Sequence, residues 1–134
     1  MTRFVIDPPT LVLLAEDDRR IDPAHQLVAP NSIRSQALDL LLQRVRSGEL
    51  TEETALDLHE RMTEMKIRVL GDRVSRRVAW RIAREQNWGT LRDAEYLAIA
   101  KLQADALIAA GPELAATASG LVPLARASEL FLKS

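Results

Sequence analysis

The sequence predicts a single α/β domain in which a parallel β-sheet is flanked by helices in three layers. Short apolar segments alternate with longer segments whose apolar residues recur at helical spacing, the pattern of strands joined by helical crossovers. The short segments are almost continuously apolar, as parallel strands covered on both faces are. A length of 134 residues suits one hydrophobic core, so residues 1–134 are expected to form one domain.

Five short segments have the composition of strands. The first is followed by Asp7, and the last contains Pro123, a residue that sheets tolerate at an edge but not in their centre. We expect strands at residues 4–6, 26–30, 66–70, 106–109 and 121–124. The first should be central in the sheet and the last should lie at its edge.

Five segments between these strands are typical of amphipathic helices. Pro8 can begin the first, Asn31 or Ser32 can cap the second, and Thr51 can begin the third, with two acids in the first turn where the helix dipole favours them. The helices are expected to begin near residues 8, 31, 51, 72 and 91. The last two should extend to about residues 86 and 103.

Composition limits the classes of function. Eighteen Lys and Arg against nineteen Asp and Glu give a net charge of −1, so any surface that binds nucleic acid must be local. The absence of cysteine excludes disulfides, thiolate metal sites and a cysteine nucleophile. No segment has the roughly 18 apolar residues of a membrane span or the pattern of a signal peptide. We therefore expect a cytoplasmic protein without membrane contact.

Two acidic residues occupy places where ligands bind to parallel sheets. Asp7 directly follows the first strand, and ligands of open parallel sheets bind beyond the carboxyl ends of the strands. It can equally be the N-cap of the helix that begins at Pro8, and the sequence leaves both interpretations open. Asp93 lies in the first turn of its helix, where the helix dipole alone would favour an acid.

Four segments, taken in chain order, carry a resemblance to a known family. Residues 4–7 read Phe-Val-Ile-Asp, residues 29–37 begin a helix after Pro30, residues 93–100 read Asp-Ala-Glu-Tyr-Leu-Ala-Ile-Ala, and residues 106–114 hold a late apolar strand. Together they resemble the PIN domains, and most closely the VapC-type toxins of toxin–antitoxin pairs. The resemblance covers nearly the whole chain and implies a metal-dependent endoribonuclease fold.

The chain departs from the family pattern at two of its four acidic positions. Gln36 stands where the family has Glu, and Gly111 stands where it has Asp, which leaves Asp7 and Asp93. In the family the acids hold Mg²⁺ or Mn²⁺, which activates water for attack on a phosphodiester. Glu113 could swing in as a third acid. With half of the carboxylates missing, we expect weak metal binding or none, and weak or lost catalysis.

One predicted helix carries a basic face. Its arginines fall on one side, and Trp80 lies among them, whereas Val74 is expected on the opposite, apolar side. The arginines are Arg73, Arg76, Arg77, Arg81 and Arg84. Arginines beside an aromatic ring can bind phosphates and stack on a base, so this face is a candidate RNA-binding surface. A solvated helix face and a dimer interface through Trp80 are the alternatives.

Three hypotheses of function follow. The first is a PIN-like protein whose catalytic activity is weak or lost and which binds RNA or a protein partner, such as a cognate antitoxin. The second is a working Mg²⁺-dependent endoribonuclease toxin that uses Glu113, water and Gln36 in place of the missing acids. The third is an interaction module without a nucleic-acid role, with Leu40, Leu41 or Trp80 at a dimer interface. A homodimer is expected because an exposed tryptophan favours burial against a second copy.

Overall fold

The sheet consists of parallel strands with the first strand in an interior position. In the computed structural model, which describes residues 1–132, the strands are β1 (Thr2–Ile6), β2 (His25–Pro30), β3 (Ile67–Leu70) and β4 (Ala106–Ile108). Their order across the sheet is β3-β2-β1-β4 within these residues, and all pairs are parallel. The fold class predicted from the sequence, with residues 4–6 central, is confirmed.

Six α-helices are present in residues 1–132, and the five that connect the strands agree closely with the sequence pattern. The six are α1 (Pro8–Glu16), α2 (Ile33–Arg46), α3 (Glu52–Glu64), α4 (Arg73–Gln86), α5 (Arg92–Gln103) and α6 (Pro112–Ala118). Pro8 occupies the first turn of α1, and the side chain of Thr51 caps α3 as expected. Asp72 caps α4 in a reciprocal capping box with Ser75. A 3₁₀ turn follows at Ala127–Leu130.

The strand order explains which helices share a face of the sheet. Along the chain, the connections from β1 to β2 and from β2 to β3 move towards one edge of the sheet. The connection from β3 to β4 crosses back to the opposite edge. Because parallel crossovers are right-handed, α1, α2 and α3 cover one face, and α4 and α5 cover the opposite face. The direction reverses between β1 and β4, so the crevice beside their carboxyl ends is where ligands bind in such folds.

Burial follows this arrangement. Residues Phe4–Ile6 of β1 are buried, as are the last four residues of β2, whereas the middle of β3 is exposed at the sheet edge. Helix α5 packs across β1, β2 and β4, and its Tyr96 is the largest fully buried side chain. The near-continuous apolar character of β1 and of most of β2 is therefore explained by helices on both faces.

The structure corrects the sequence prediction at three places. Residues 121–124 do not form a strand, because the N–H groups of Leu121 and Val122 donate to the Ala118 carbonyl in the turn after α6, and Leu124 alone makes a parallel bridge to Leu107. The sequence prediction omitted α6, although Pro112 at its start is a helix-initiating residue. Val74 is 57% exposed and not on the apolar side, because the buried residues of α4 begin one turn later, at Ala79.

Among residues 1–132 there is no helix with the length and apolar character that crossing a bilayer requires.

Candidate functional site

The residues at the four family positions, together with Glu113, lie around one cavity at the carboxyl edge of the sheet. It has a volume of about 370 Å³ and is lined by Asp7, Gln36, Asp93, Gly111 and Glu113. We call it the carboxylate pocket. Its walls come from α1, α2, α5 and α6, with Asp7 just beyond the end of β1, so it occupies the crevice at which the strand order reverses.

Asp7 is buried, and its carboxylate is surrounded by hydrogen-bond donors. Its Oδ1 accepts from the backbone N–H groups of Thr10 at 3.0 Å and Ala110 at 3.2 Å, and its Oδ2 accepts from the N–H of Gly111 at 3.0 Å. The Thr10 hydroxyl also contacts Oδ1. We call Asp7, Thr10, Ala110 and Gly111 the Asp7 cluster. Asp7 thus caps α1 and also joins the end of β1 to the turn between β4 and α6.

The hydroxyl oxygen of Thr10 also has hydrogen-bond partners on both sides. The Thr10 hydroxyl lies 3.1 Å from the carbonyl oxygen of Ile108 and 3.1 Å from the Ala110 N–H, which is shared with Asp7. Thr10 is fully buried. Its position three residues after the N-cap is the sequence feature that could have revealed this role, since the cap side chain accepts from that residue.

Gln36 is held by Tyr96. The phenolic O–H of Tyr96 donates to Gln36 Oε1 at 2.6 Å. Burial raises the pKa of Tyr96 well above its ordinary value, and the negative charge of Asp7 adds to the effect, so the phenol keeps its proton. Tyr96 follows Asp93 by three residues on α5, a spacing that places both on one helix face. Sequence reasoning did not identify it as a site residue.

Asp93 differs from Asp7 because it has no hydrogen-bond partner in the part of the chain that the structure describes. Partial burial raises the pKa of its carboxyl; Arg92 opposes this rise, and the charges of Glu113 and Asp7 add to it. Glu113 itself is exposed at the start of α6. The pocket therefore contains one carboxyl group that is repelled by neighbouring charges of the same sign and has no hydrogen bond to offset this.

We expect Asp93→Asn to leave the protein as stable or more stable at pH 7. The raised pKa means that the folded state favours the protonated carboxyl. This group therefore stabilises the fold fully below its ordinary pKa of 3.8, and the stabilisation is lost as the pH rises through the raised pKa. Urea unfolding at pH 7 and at pH 3.5 measures this. The advantage of the variant over the native protein should disappear at the lower pH, and a variant that is less stable at pH 7 would contradict the electrostatic assignment.

The pocket does not fit a metal site built from several free carboxylates. The Asp7 oxygens already accept from three backbone N–H groups, and Gln36 Oε1 accepts from Tyr96. Within residues 1–132 no three acidic or histidine side chains come close enough together to hold a cation, so Glu113 does not complete a site with Asp7 and Asp93. Magnesium needs several free oxygen ligands close together to replace its water shell, and the pocket groups within residues 1–132 do not bring enough of them together.

The space beside Gly111 is limited by the Asp7 carboxylate. A Cβ atom added at Gly111 would lie 3.2 Å from Asp7 Oδ2 and 3.5 Å from Pro9. The backbone of Gly111 has φ −71°, which any residue can adopt, so the constraint is space and not conformation. An aspartate at this position would push its neighbour Asp7 by a few tenths of an ångström and add a second charge beside it.

The arginine face lies away from this pocket, on the outer side of α4. The side chains of Arg73, Arg76, Arg77, Arg81 and Arg84 are all exposed, and Trp80 is 62% exposed among them. None of the five arginines forms an ion pair with any residue in 1–132. Helix α4 packs on α5 through Ala79, Ile82 and Ala83.

Comparison with solved structures finds chains of similar fold. The crystal structure of PAE2754 from Pyrobaculum aerophilum matches with a TM-score of 0.68 over 96% of this chain and 92% of that chain, at 19% sequence identity. Such a likeness establishes the α/β fold alone. No protein-family model and no curated protein matches the sequence.

Proposed function

We propose that this chain is a PIN-like protein, related to the VapC-type toxins, that binds single-stranded RNA and does not hydrolyse it through a bound metal ion. The observation that carries the proposal is the arginine face of α4. Helix α4 has five arginines and one acid, Glu85, and therefore a net charge of +4. The whole chain has −1, so everything outside α4 sums to −5.

Such segregation of charge supports a polyanionic partner. Unpaired arginines on one exposed face attract phosphates and release counterions from nucleic acid on binding. Trp80 follows Arg76 and Arg77 by one helical turn and precedes Arg84 by one turn, so its ring lies within the basic surface. Stacking of a base on an exposed aromatic ring between phosphate-binding arginines is the usual arrangement for single strands.

The chemistry of the carboxylate pocket supports the absence of hydrolysis. Metal-dependent cleavage of a phosphodiester needs acids that are free to hold the ion and to activate water. Here the Asp7 carboxylate accepts hydrogen bonds from backbone N–H groups, and Gln36 carries no charge to attract a cation. The pKa of Asp93 is raised, so this carboxyl gives up its proton less readily. These features favour binding over catalysis.

The same charges bear on self-association. A two-fold dimer through Trp80 would place the arginines of one α4 opposite those of the other, and like charges at such an interface cost several kcal/mol. The homodimer expected from the sequence stays a prediction, and its interface would have to use another surface. An acidic protein, such as a cognate antitoxin, is the other partner that the arginine face could accept.

Binding to fluorescently labelled single-stranded RNA, followed by anisotropy in EDTA, tests the proposal. We expect saturable binding that weakens as salt is added, because phosphate contacts release counterions. In a Trp88→Phe variant the remaining fluorescence reports Trp80 alone, and RNA should quench it.

The same RNA, incubated with Mg²⁺ or Mn²⁺, should remain intact on a denaturing gel. Cleavage that requires the metal and is abolished by Asp93→Asn would favour the nuclease hypothesis instead. Absence of RNA binding at low salt, together with binding of an acidic peptide, would favour a protein partner.

A further inference from the structure

The two edges of the sheet differ in how they are covered. Beside β4, the N–H of Leu107 donates to the carbonyl of Pro123, the carbonyl of Leu107 accepts from the N–H of Ala125, and Leu124 forms a parallel bridge between them. On the outer side of β3, no strand or bridge is present within residues 1–132. The sheet therefore has one open edge, at β3.

The outward backbone groups of β3 belong to Ile67 and Val69. The N–H of Asn31 donates to the carbonyl of Leu70 at 3.2 Å, so Leu70 directs its backbone groups at β2. Alternate residues of a strand direct these groups to opposite sides, so those of Ile67 and Val69 point away from β2. Outside the sheet, no backbone group in residues 1–132 bonds to them. Such an edge is a template for a further strand.

The side chains of β3 separate charge from apolar surface. Successive side chains of a strand lie on opposite faces of the sheet, so Ile67 and Val69 share one face, and Arg68 lies on the other with Lys66, the residue before the strand. Both cations are exposed, and Val69 is 42% exposed. The open edge thus has a cationic face and an apolar face.

The two cations have no acidic partner in the described part of the chain. Neither Lys66 nor Arg68 forms an ion pair within residues 1–132. Asp17 and Asp18, which share a cavity with them, pair with other arginines at 2.8 Å and 3.9 Å. Opposite charges on neighbouring strands stabilise their pairing, and like charges oppose it. An added strand should therefore carry acids on the face of Lys66 and Arg68.

A second copy of β3 does not meet this condition. Two copies that pair edge to edge about a two-fold axis keep their faces, so Lys66 and Arg68 would lie beside the same two cations of the other copy. Charges on an edge strand keep identical chains apart in this way. The same charges attract a strand of opposite sign, so they select the partner and do not close the edge.

We propose that β3 pairs with an extended segment of another protein in which acidic and apolar residues alternate. The backbone of this segment bonds to the outward groups of Ile67 and Val69. Its acids lie beside Lys66 and Arg68, and its apolar side chains cover Val69. The interaction does not depend on RNA binding by the arginine face.

Anisotropy titration with a labelled synthetic peptide of alternating glutamate and valine tests the proposal. We expect saturable binding that one of two N-methylated versions loses. One version is methylated at the valine nitrogens and the other at the glutamate nitrogens; both have the same charge, and only one set of N–H groups can face β3. Equal binding by the two versions would overturn the proposal, because charge alone would then hold the peptide. Failure of the unmodified peptide to bind at millimolar concentration would overturn it as well.

Variants of the protein complete the test. Arg68→Gln should weaken peptide binding severalfold in a salt-dependent way, whereas Arg46→Gln, which removes an exposed arginine from α2, should not. Val69→Pro removes one outward N–H and spares the bonds to β2, a change that edge strands tolerate, and it should abolish binding. If this variant fails to fold, the arginine pair and the methylated peptides still decide.

Two further measurements separate this edge from other surfaces. Trp80→Ala should leave peptide binding unchanged, and Arg68→Gln should leave RNA binding unchanged. Loss of both ligands in either variant would place the peptide on the arginine face and contradict the proposal. A dimer that the peptide dissociates in sedimentation would show that a second copy occupies β3, and the proposal would again be wrong.

Discussion

Replacing Asp7 by alanine is expected to lower the free energy of unfolding by about 2 to 4 kcal/mol, because it removes the cap of α1 and leaves the N–H groups of Thr10 and Gly111 without their acceptor. The N–H of Ala110 and the hydroxyl of Thr10 also lose a bond to Asp7, but they keep the Thr10 oxygen and the Ile108 carbonyl as acceptors. Urea denaturation at pH 7 with circular dichroism measures the loss. A smaller loss is expected for Asp7→Asn, which keeps one acceptor oxygen but directs an amide N–H₂ at a backbone donor.

Asp93→Ala is the matched control, since it removes a second carboxyl from the same pocket. It breaks no hydrogen bond that the structure describes, and it relieves repulsion from Asp7 and Glu113, so stability should hold or rise. If Asp7 were chiefly a metal ligand, its removal would also relieve repulsion in the metal-free protein. Similar effects of the two alanine variants would therefore refute the structural role of Asp7.

Reversing two charges on the arginine face should nearly abolish RNA binding. Arg76→Glu with Arg77→Glu changes the charge of α4 from +4 to 0, and we expect affinity for single-stranded RNA to fall about 100-fold at low salt. The slope of log affinity against log salt should become shallower by about 1.4, or about 0.7 for each lost phosphate contact. Anisotropy titrations at several salt concentrations measure both quantities.

Trp80→Ala separates stacking from charge. We expect it to weaken binding about tenfold without changing the salt dependence, since a base loses its stacking partner but no phosphate contact is lost. The charge control is Arg46→Glu with Lys101→Glu, which alters the net charge by the same four units at exposed positions on α2 and α5. If this control loses affinity as much as the α4 variant, binding follows net charge and the arginine face has no special role.

The fold could be predicted from the sequence because its determinants are local. Continuous apolar runs, helical spacing of apolar residues and caps such as Thr51 and Asp72 each act within a few residues. Residues 121–124 were wrongly predicted as a strand because Leu121 and Val122 bond to the end of α6, a helix that the sequence prediction omitted. Val74 was misplaced because it lies in the first turn of α4, before the part of the helix that packs on the core.

The sequence identified the acidic positions of the site and their substitutions, but not their hydrogen-bond partners or their chemistry. The sequence places Asp7 after a strand and leaves its role open between capping and ligand binding. The deciding contacts come from Ala110 and Gly111, more than 100 residues away, and no pattern near Asp7 encodes them. The hydrogen bond between Tyr96 and Gln36 likewise joins two helices, α5 and α2, across 60 residues of chain.

This distance along the chain also sets an order for folding. The Asp7 hydrogen bonds span 103 and 104 residues and join the first strand to the last. During synthesis β1, β2 and β3 emerge well before β4, so the nascent sheet keeps an open edge on β1 until most of the chain has been made. Contacts of such long range also slow folding, because the closure of a long loop must precede them. Shortened chains that end before residue 106 should therefore expose β1 to pairing with other chains.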